Sequence, residues 1–135
     1  MQSSPTVAKI LIVEENEADV NLFREFFSEI RMLNEISWAR TGMEALQLVR
    51  ELRPELVIMN TILPLRDGFE VLEDIRGDSD LRDVRVIMAI DAGDVRYVMK
   101  QAPLADGYIE KPINMESLAE VISRTDEFAV AIVRT

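Results

Sequence analysis

Two adjacent carboxylates, Glu14 and Glu15, follow directly on the nearly all-apolar segment Val7 to Val13, and a lysine, Lys111, lies in the segment GYIEKPI from Gly107 to Ile113. Paired acids at the end of a buried strand suit a hard divalent cation such as Mg²⁺, or the ammonium of Lys111 where a fold brings the two segments together. The same pair repels a phosphate at short range and low dielectric, which counts against nucleotide and flavin readings. Neither GxGxxG nor GxxxxGK occurs in the chain. Two exposed glutamates that only solvate a loop fit the residues equally well, and the residues alone leave both readings open.

Composition narrows the chemistry further. The 135 residues carry 15 Lys plus Arg against 25 Asp plus Glu, a formal net charge of −10, with no His and no Cys. Disulfide frameworks, thiolate metal sites and thiol nucleophiles are excluded, as are Ser-His-Asp triads, His-ligated zinc and phosphohistidine. No nucleophile and base can be paired, so an enzyme is not expected. The acid excess counts against nucleic acid as a partner and favours cationic ones. The longest apolar run is the six residues from Phe128 to Val133, against roughly 20 for a membrane helix. The start MQSSPTV lacks the layout of a signal peptide. A cytoplasmic protein with no membrane partner is the expectation by elimination.

The elements that must position these residues follow from periodicity. Val7 to Val13 reads as a strand buried on both faces, and Asn16 caps a helix with Val20, Phe23, Phe27 and Ile30 at helical spacing. Glu35 to Ala39 is a weaker strand, and Thr41 with Glu44 has capping-box spacing ahead of a helix stopped by Pro54. Leu56 to Met59 is a third strand and Phe69 to Arg76 a helix closed by Gly77. Val84 to Ile90, Asp94 to Gln101 and Tyr108 to Ile109 give strand, helix and strand, and Asn114 caps a long last helix that includes Phe128 and Ile132. Strict alternation predicts one α/β domain over residues 1–135, a flavodoxin-like, doubly wound five-stranded parallel sheet in the order 2-1-3-4-5. Its crevice lies at the carboxyl ends of the strands, which places Glu14, Glu15, Asn60, Ile90 and Lys111 around it.

The segments KILIVEEN, TGMEAL, PELVIMNTILPLRDGFEVLEDIR, VRVIMAI and GYIEKPI together resemble a response-regulator receiver domain over essentially the whole chain. The acidic segment after the first strand and the FAVAIV ending are similar to the single-domain receivers that partner bacterial phytochromes. The resemblance implies a stand-alone module of a two-component or phosphorelay system without an output domain. It also implies an acidic Mg²⁺ pair at Glu14 and Glu15, a phosphoryl acceptor position at Asn60, a hydroxyl switch position at Ile90, an aromatic switch at Tyr108, a paired lysine at Lys111 and a cis bond before Pro112.

Three positions depart from that pattern. Glu15 stands where Asp is usual, extending the carboxylate by about 1.5 Å. Asn60 offers an amide where a carboxylate nucleophile is needed, and an amide oxygen gives no acyl phosphate. Ile90 has no hydroxyl to donate. An acceptor substituted from Asp to Asn in an ordinary phosphoryl-accepting regulator explains Asn60 alone; loss of Asn60 and Ile90 together describes a pseudo-receiver that acts by phosphorylation-independent protein contact. Lys111 is expected to neutralise Glu14 and Glu15, and Mg²⁺ to bind weakly if at all, with Asp67 near the site. Thr61 is expected to point away and Asp91 to cap the next helix.

With chemistry lost, the surface remains. Phe128 and Ile132 of the last helix, with Tyr97 on the preceding one, are candidates for docking a sensor kinase or other signalling protein, or a second copy of the chain. A simple tuck of Phe128 and Ile132 against the sheet is the competing reading.

Overall fold

The computed structural model describes residues 7–30 and 33–124. The elements run β1 (Ala8–Val13), α1 (Glu17–Glu29), β2 (Asn34–Ala39), α2 (Gly42–Leu52), β3 (Leu56–Asn60), α3 (Gly68–Arg76), a single 3₁₀ turn (Ser79–Leu81), β4 (Arg85–Ile90), α4 (Val95–Gln101), β5 (Gly107–Glu110) and α5 (Met115–Ser123). All strands pair in parallel in the order β2-β1-β3-β4-β5. The strand-end register sets Val13 beside Met59 and Ala39, and Ile90 beside Glu110.

The near-continuous apolar strands are explained by two separate cores. Leu11, Val13, Val57, Met59, Val86, Met88 and Ile90 face α2, α3 and α4, whereas Ile10, Ile12, Leu56, Ile58, Ile87 and Ala89 face α1 and α5. Successive strand residues point to opposite faces, so a strand covered on both sides has no polar position to spare. Phe26 joins Val20, Phe23 and Phe27 in the second core, its ring edge-on to Phe27 at 5.1 Å.

Local capping sets where the helices begin. Asn16 Oδ1 accepts from Ala18 N at 2.9 Å, Thr41 Oγ1 from Glu44 N at 3.0 Å, Asp67 Oδ1 from Glu70 N at 3.0 Å and Asn114 Oδ1 from Ser117 N at 2.8 Å. The Thr41–Glu44 box closes with a difference: Glu44 Oε1 takes the amide of Arg40, one residue before the cap, at 3.0 Å. Gly77 ends α3 in an ordinary right-handed conformation, at φ −81°, with no left-handed turn. Asp91 does not cap α4: Asp94 holds that position, and the carbonyl of Asp91 accepts the Asp94 amide at 3.1 Å. The long last helix is described only to Ser123, so Phe128 and Ile132 lie outside the described residues.

The β3–α3 loop packs tightly against both neighbours. A Cβ on Gly68 would sit 2.5 Å from the Asn60 carbonyl oxygen, and one on Gly42 only 1.6 Å from that of Arg66. Gly42 N donates to Pro64 O at 3.1 Å. Leu65 and Arg66 both have positive φ, 55° and 110°, a conformation that costs non-glycine residues energy and needs neighbours to hold it. Arg66 is held by Asp74 at 2.6 Å and Glu70 at 3.2 Å.

Candidate functional site

At the carboxyl end of the sheet, Glu14, Glu15, Asn60, Ile62, Asp91 and Lys111 border an open cavity of about 450 Å³. Parallel strands bring these residues together because β1, β3 and β4 end side by side, with β5 completing the row. Glu14 is the one acidic residue among the described residues that is buried. Glu15, the next residue along, is exposed, as the alternation of an extended chain requires.

Lys111 crosses the cavity to Glu14, Nζ to Oε1 2.6 Å, and to Asp19, Nζ to Oδ2 3.1 Å. The expected pairing of Lys111 with Glu15 is therefore corrected to Asp19, which the first turn of α1 turns back toward the strand ends. Burial pulls the Lys111 ammonium down, but its hydrogen bonds with Glu14 and Asp19, together with their charges, outweigh that and leave its pKa above the ordinary value. The Lys111 main chain is fixed as well, its amide donating to Ile90 O at 2.7 Å, and the Lys111–Pro112 bond is cis.

Asn60 turns its amide nitrogen to the acid: Nδ2 donates to Glu14 Oε2 at 3.2 Å. The same oxygen accepts the Asn16 amide at 3.2 Å. Asn60 Oδ1 is enclosed and has no hydrogen-bond partner among the described residues. The opposite amide orientation would set that oxygen against the Glu14 carboxylate, so the donor orientation is the favourable one.

Ile90 is fully buried in the α2–α4 core, a position where its branched side chain packs and nothing polar is presented. Tyr108 is half-buried, and its hydroxyl donates to Ala102 O at 2.5 Å, tying β5 to the end of α4. Burial, reinforced by the charge of Asp106, raises the Tyr108 pKa. Tyr97 is exposed on α4, with its ring edge-on to Phe69 at 6.3 Å. Thr61 is buried and stands outside the cavity lining.

Two acids sit elsewhere than expected. Asp67 caps α3 and does not line the cavity, whereas Asp91 lines it. Trp38 was not anticipated at all. Its indole Nε1 donates to Glu14 O at 2.7 Å while the Arg40 guanidinium covers the ring at 4.3 Å. The signal is the pairing of β1 with β2, which only the folded sheet supplies.

A hard cation such as Mg²⁺ takes about six oxygens at roughly 2.1 Å, several of them waters, and needs one or two free carboxylates from the protein. Here both Glu14 oxygens are engaged by donors, Asn60 is neutral, and among the described residues no three acidic side chains converge to hold a metal. As arranged, these residues do not form a metal cage.

Known proteins share this arrangement of elements. The family model for the response regulator receiver domain matches residues 10–123. The chain is 36 % identical over 117 residues to the polar-differentiation response regulator DivK of Brucella anthropi, covering 84 % of this chain and 91 % of that one. The phosphorylated cyanobacterial phytochrome response regulator RcpA superposes with TM-score 0.74 at 28 % identity, over 93 % of this chain and 96 % of its own. The Mn²⁺-bound form of response regulator Rcp1 does so with TM-score 0.75 at 26 % identity, over 95 % and 97 %. No helix among the described residues is long and apolar enough to cross a membrane.

Proposed function

The chain belongs to the response regulator receiver family, and on that footing we propose that it is a pseudo-receiver: a cytoplasmic, non-enzymatic signalling module that acts by protein contact without accepting a phosphoryl group at Asn60. The observation that carries this reading is the Asn60 amide donating to Glu14 Oε2. An acyl phosphate needs a carboxylate oxygen free to attack phosphorus, and the side chain here offers an amide whose oxygen is enclosed.

The neighbouring positions support the same reading. Lys111 is already committed to Glu14 and Asp19. Ile90 has no hydroxyl with which to sense a phosphoryl oxygen and is packed into the core. Mg²⁺ binding is weak at most, since the carboxylate best placed for it is taken.

What the module then offers is surface. Its partner is a sensor kinase or another signalling protein, and Tyr97 on α4, 62 % exposed, marks the docking face. Phe128 and Ile132, which lie outside the described residues, are the further candidates for that docking and for a homodimer.

The test is incubation with acetyl phosphate and Mg²⁺ followed by intact mass. The unaltered chain is expected to stay unmodified. A phosphoryl adduct on it overturns the proposal. Stable, switching phosphorylation of Asn60→Asp in spite of Ile90 favours instead an ordinary regulator whose acceptor has been substituted.

A further inference from the structure

We infer that the cavity carries its counter-cation within the chain, the Lys111 ammonium, and that the geometry of the strand-end loops is therefore set without a divalent metal ion. The inference rests on the proposal above, in which Mg²⁺ binds weakly at most, and deepens it by naming the group that takes the place of the metal ion.

The Glu14 carboxylate receives three donors. Lys111 Nζ takes Oε1 at 2.6 Å, and Asn60 Nδ2 and Asn16 N share Oε2 at 3.2 Å each. An ion claiming Glu14 has to displace the ammonium or the amide. A displaced ammonium keeps only Asp19, and a displaced amide leaves Asn60 with neither end partnered. Both costs fall on side chains largely screened from water: Lys111 is 17 % exposed and Glu14 3 %. Removing one partner of such a pair leaves an uncompensated charge where solvation is poor.

The charge inventory leads to the same conclusion. Replacing a carboxylate at position 60 by an amide removes one negative charge from the cavity, and Lys111 cancels one of those that remain. Asp19, the second partner of Lys111, and Glu15 and Asp91 are left; Asp19 is part-exposed and the other two are exposed to water, which already solvates them. The main chain is held independently of any ligand, by Trp38 Nε1 on Glu14 O at 2.7 Å, Glu14 N on Ala39 O at 3.0 Å and Lys111 N on Ile90 O at 2.7 Å.

Paramagnetic broadening by Mn²⁺ alone, with no phosphoryl donor present, tests this on the full chain. In the unaltered protein, substoichiometric Mn²⁺ is expected to leave the amide signals of Glu14, Asn60 and Lys111 no more broadened than those beside exposed carboxylates elsewhere in the chain. Mg²⁺ at an order of 1 mM, the weak end of dedicated divalent sites, is expected to leave Tm unchanged beyond a NaCl control of equal ionic strength. Lys111→Met is expected to gain selective broadening at Glu14 and a Tm that rises with Mg²⁺. Selective broadening at Glu14 in the unaltered protein overturns the inference, as does a folded Lys111→Met that remains silent. If Lys111→Met does not fold, the unaltered protein decides alone. Because acetyl phosphate is absent throughout, a metal response here and an adduct in the mass experiment are separate failures.

Discussion

Asn60 Nδ2 lies 3.2 Å from Glu14 Oε2, so the side chain at the end of β3 gives the buried acid a donor at the place where a carboxylate would give it a second negative charge. Asn60→Asp exchanges that attraction for repulsion and leaves the enclosed oxygen still unpartnered. A loss of about 1–3 kcal/mol is expected in metal-free buffer at neutral pH, read by thermal or urea unfolding. Because the added carboxylate also makes an oxygen ligand available, Mg²⁺ is expected to recover part of that loss in this variant. An Asn60→Asp protein as stable as the unaltered one without metal contradicts the account of the site.

The Lys111 pair sets an alkaline limit. Its ammonium is held above the ordinary value, so folding is favoured by the charged form. That contribution is whole below the unfolded value of about 10.4 and is lost as pH rises through the higher folded value. Tyr108, also raised, adds loss in the same direction, since the unfolded chain ionises first. Lys111→Met is expected to cost about 3 kcal/mol at neutral pH, the lower end for breaking a buried pair because Lys111 is partly solvated. The difference between the two proteins in unfolding free energy is expected to shrink above pH 10. A difference that grows there contradicts the pairing.

Arg76 clamps three segments at once. Its guanidinium donates to Leu104 O at 2.9 Å, Val84 O at 2.8 Å and Asp106 Oδ2 at 2.6 Å, closing the end of α3 onto the start of β4 and the turn before β5. Arg76→Ala takes the guanidinium donor from two carbonyls and leaves the Asp106 carboxylate with the Val86 amide alone, and a loss of about 2–3 kcal/mol is expected. Arg124, paired with Glu120 on a water-exposed helix face, is the control: Arg124→Ala is expected to cost under about 0.5 kcal/mol. Equal losses in urea unfolding contradict the clamp.

Gly68→Ala tests the loop after the acceptor position. The added methyl meets the Asn60 carbonyl oxygen and the Thr61 Cα, backbone atoms that cannot rotate away. The end of β3 has to shift, so amide chemical-shift changes are expected to spread from residue 68 to residues 60 and 61. A loss of roughly 1–3 kcal/mol is expected with them. Changes confined to α3 contradict the close approach.

Most of the frame was legible because it depends on short-range patterns. Val7 to Val13, Leu56 to Met59 and Val84 to Ile90 read as strands, the first buried on both faces, and Asn16, Thr41 and Asn114 read as caps from residue type and spacing alone. The site was half legible for the same reason. Strand ends brought Glu14, Asn60 and Lys111 together, but Asp19 looked like any acid in a first helical turn, and its turn toward Lys111 depends on where α1 rests on the sheet. Asp67 and Asp91 were exchanged in role, since sequence separation does not tell which of two loop acids faces the cavity. Trp38 reaches Glu14 only through the β1–β2 pairing, and no local signal in SWAR announces it.

Glu14 and Lys111 stand 97 positions apart in the chain. The acid and its cation therefore follow the first and last strands of the sheet in chain order, and the pair exists only where β1 and β5 both belong to one folded sheet. A fragment ending before residue 111 retains every carboxylate of the cavity and none of the positive charge that meets Glu14.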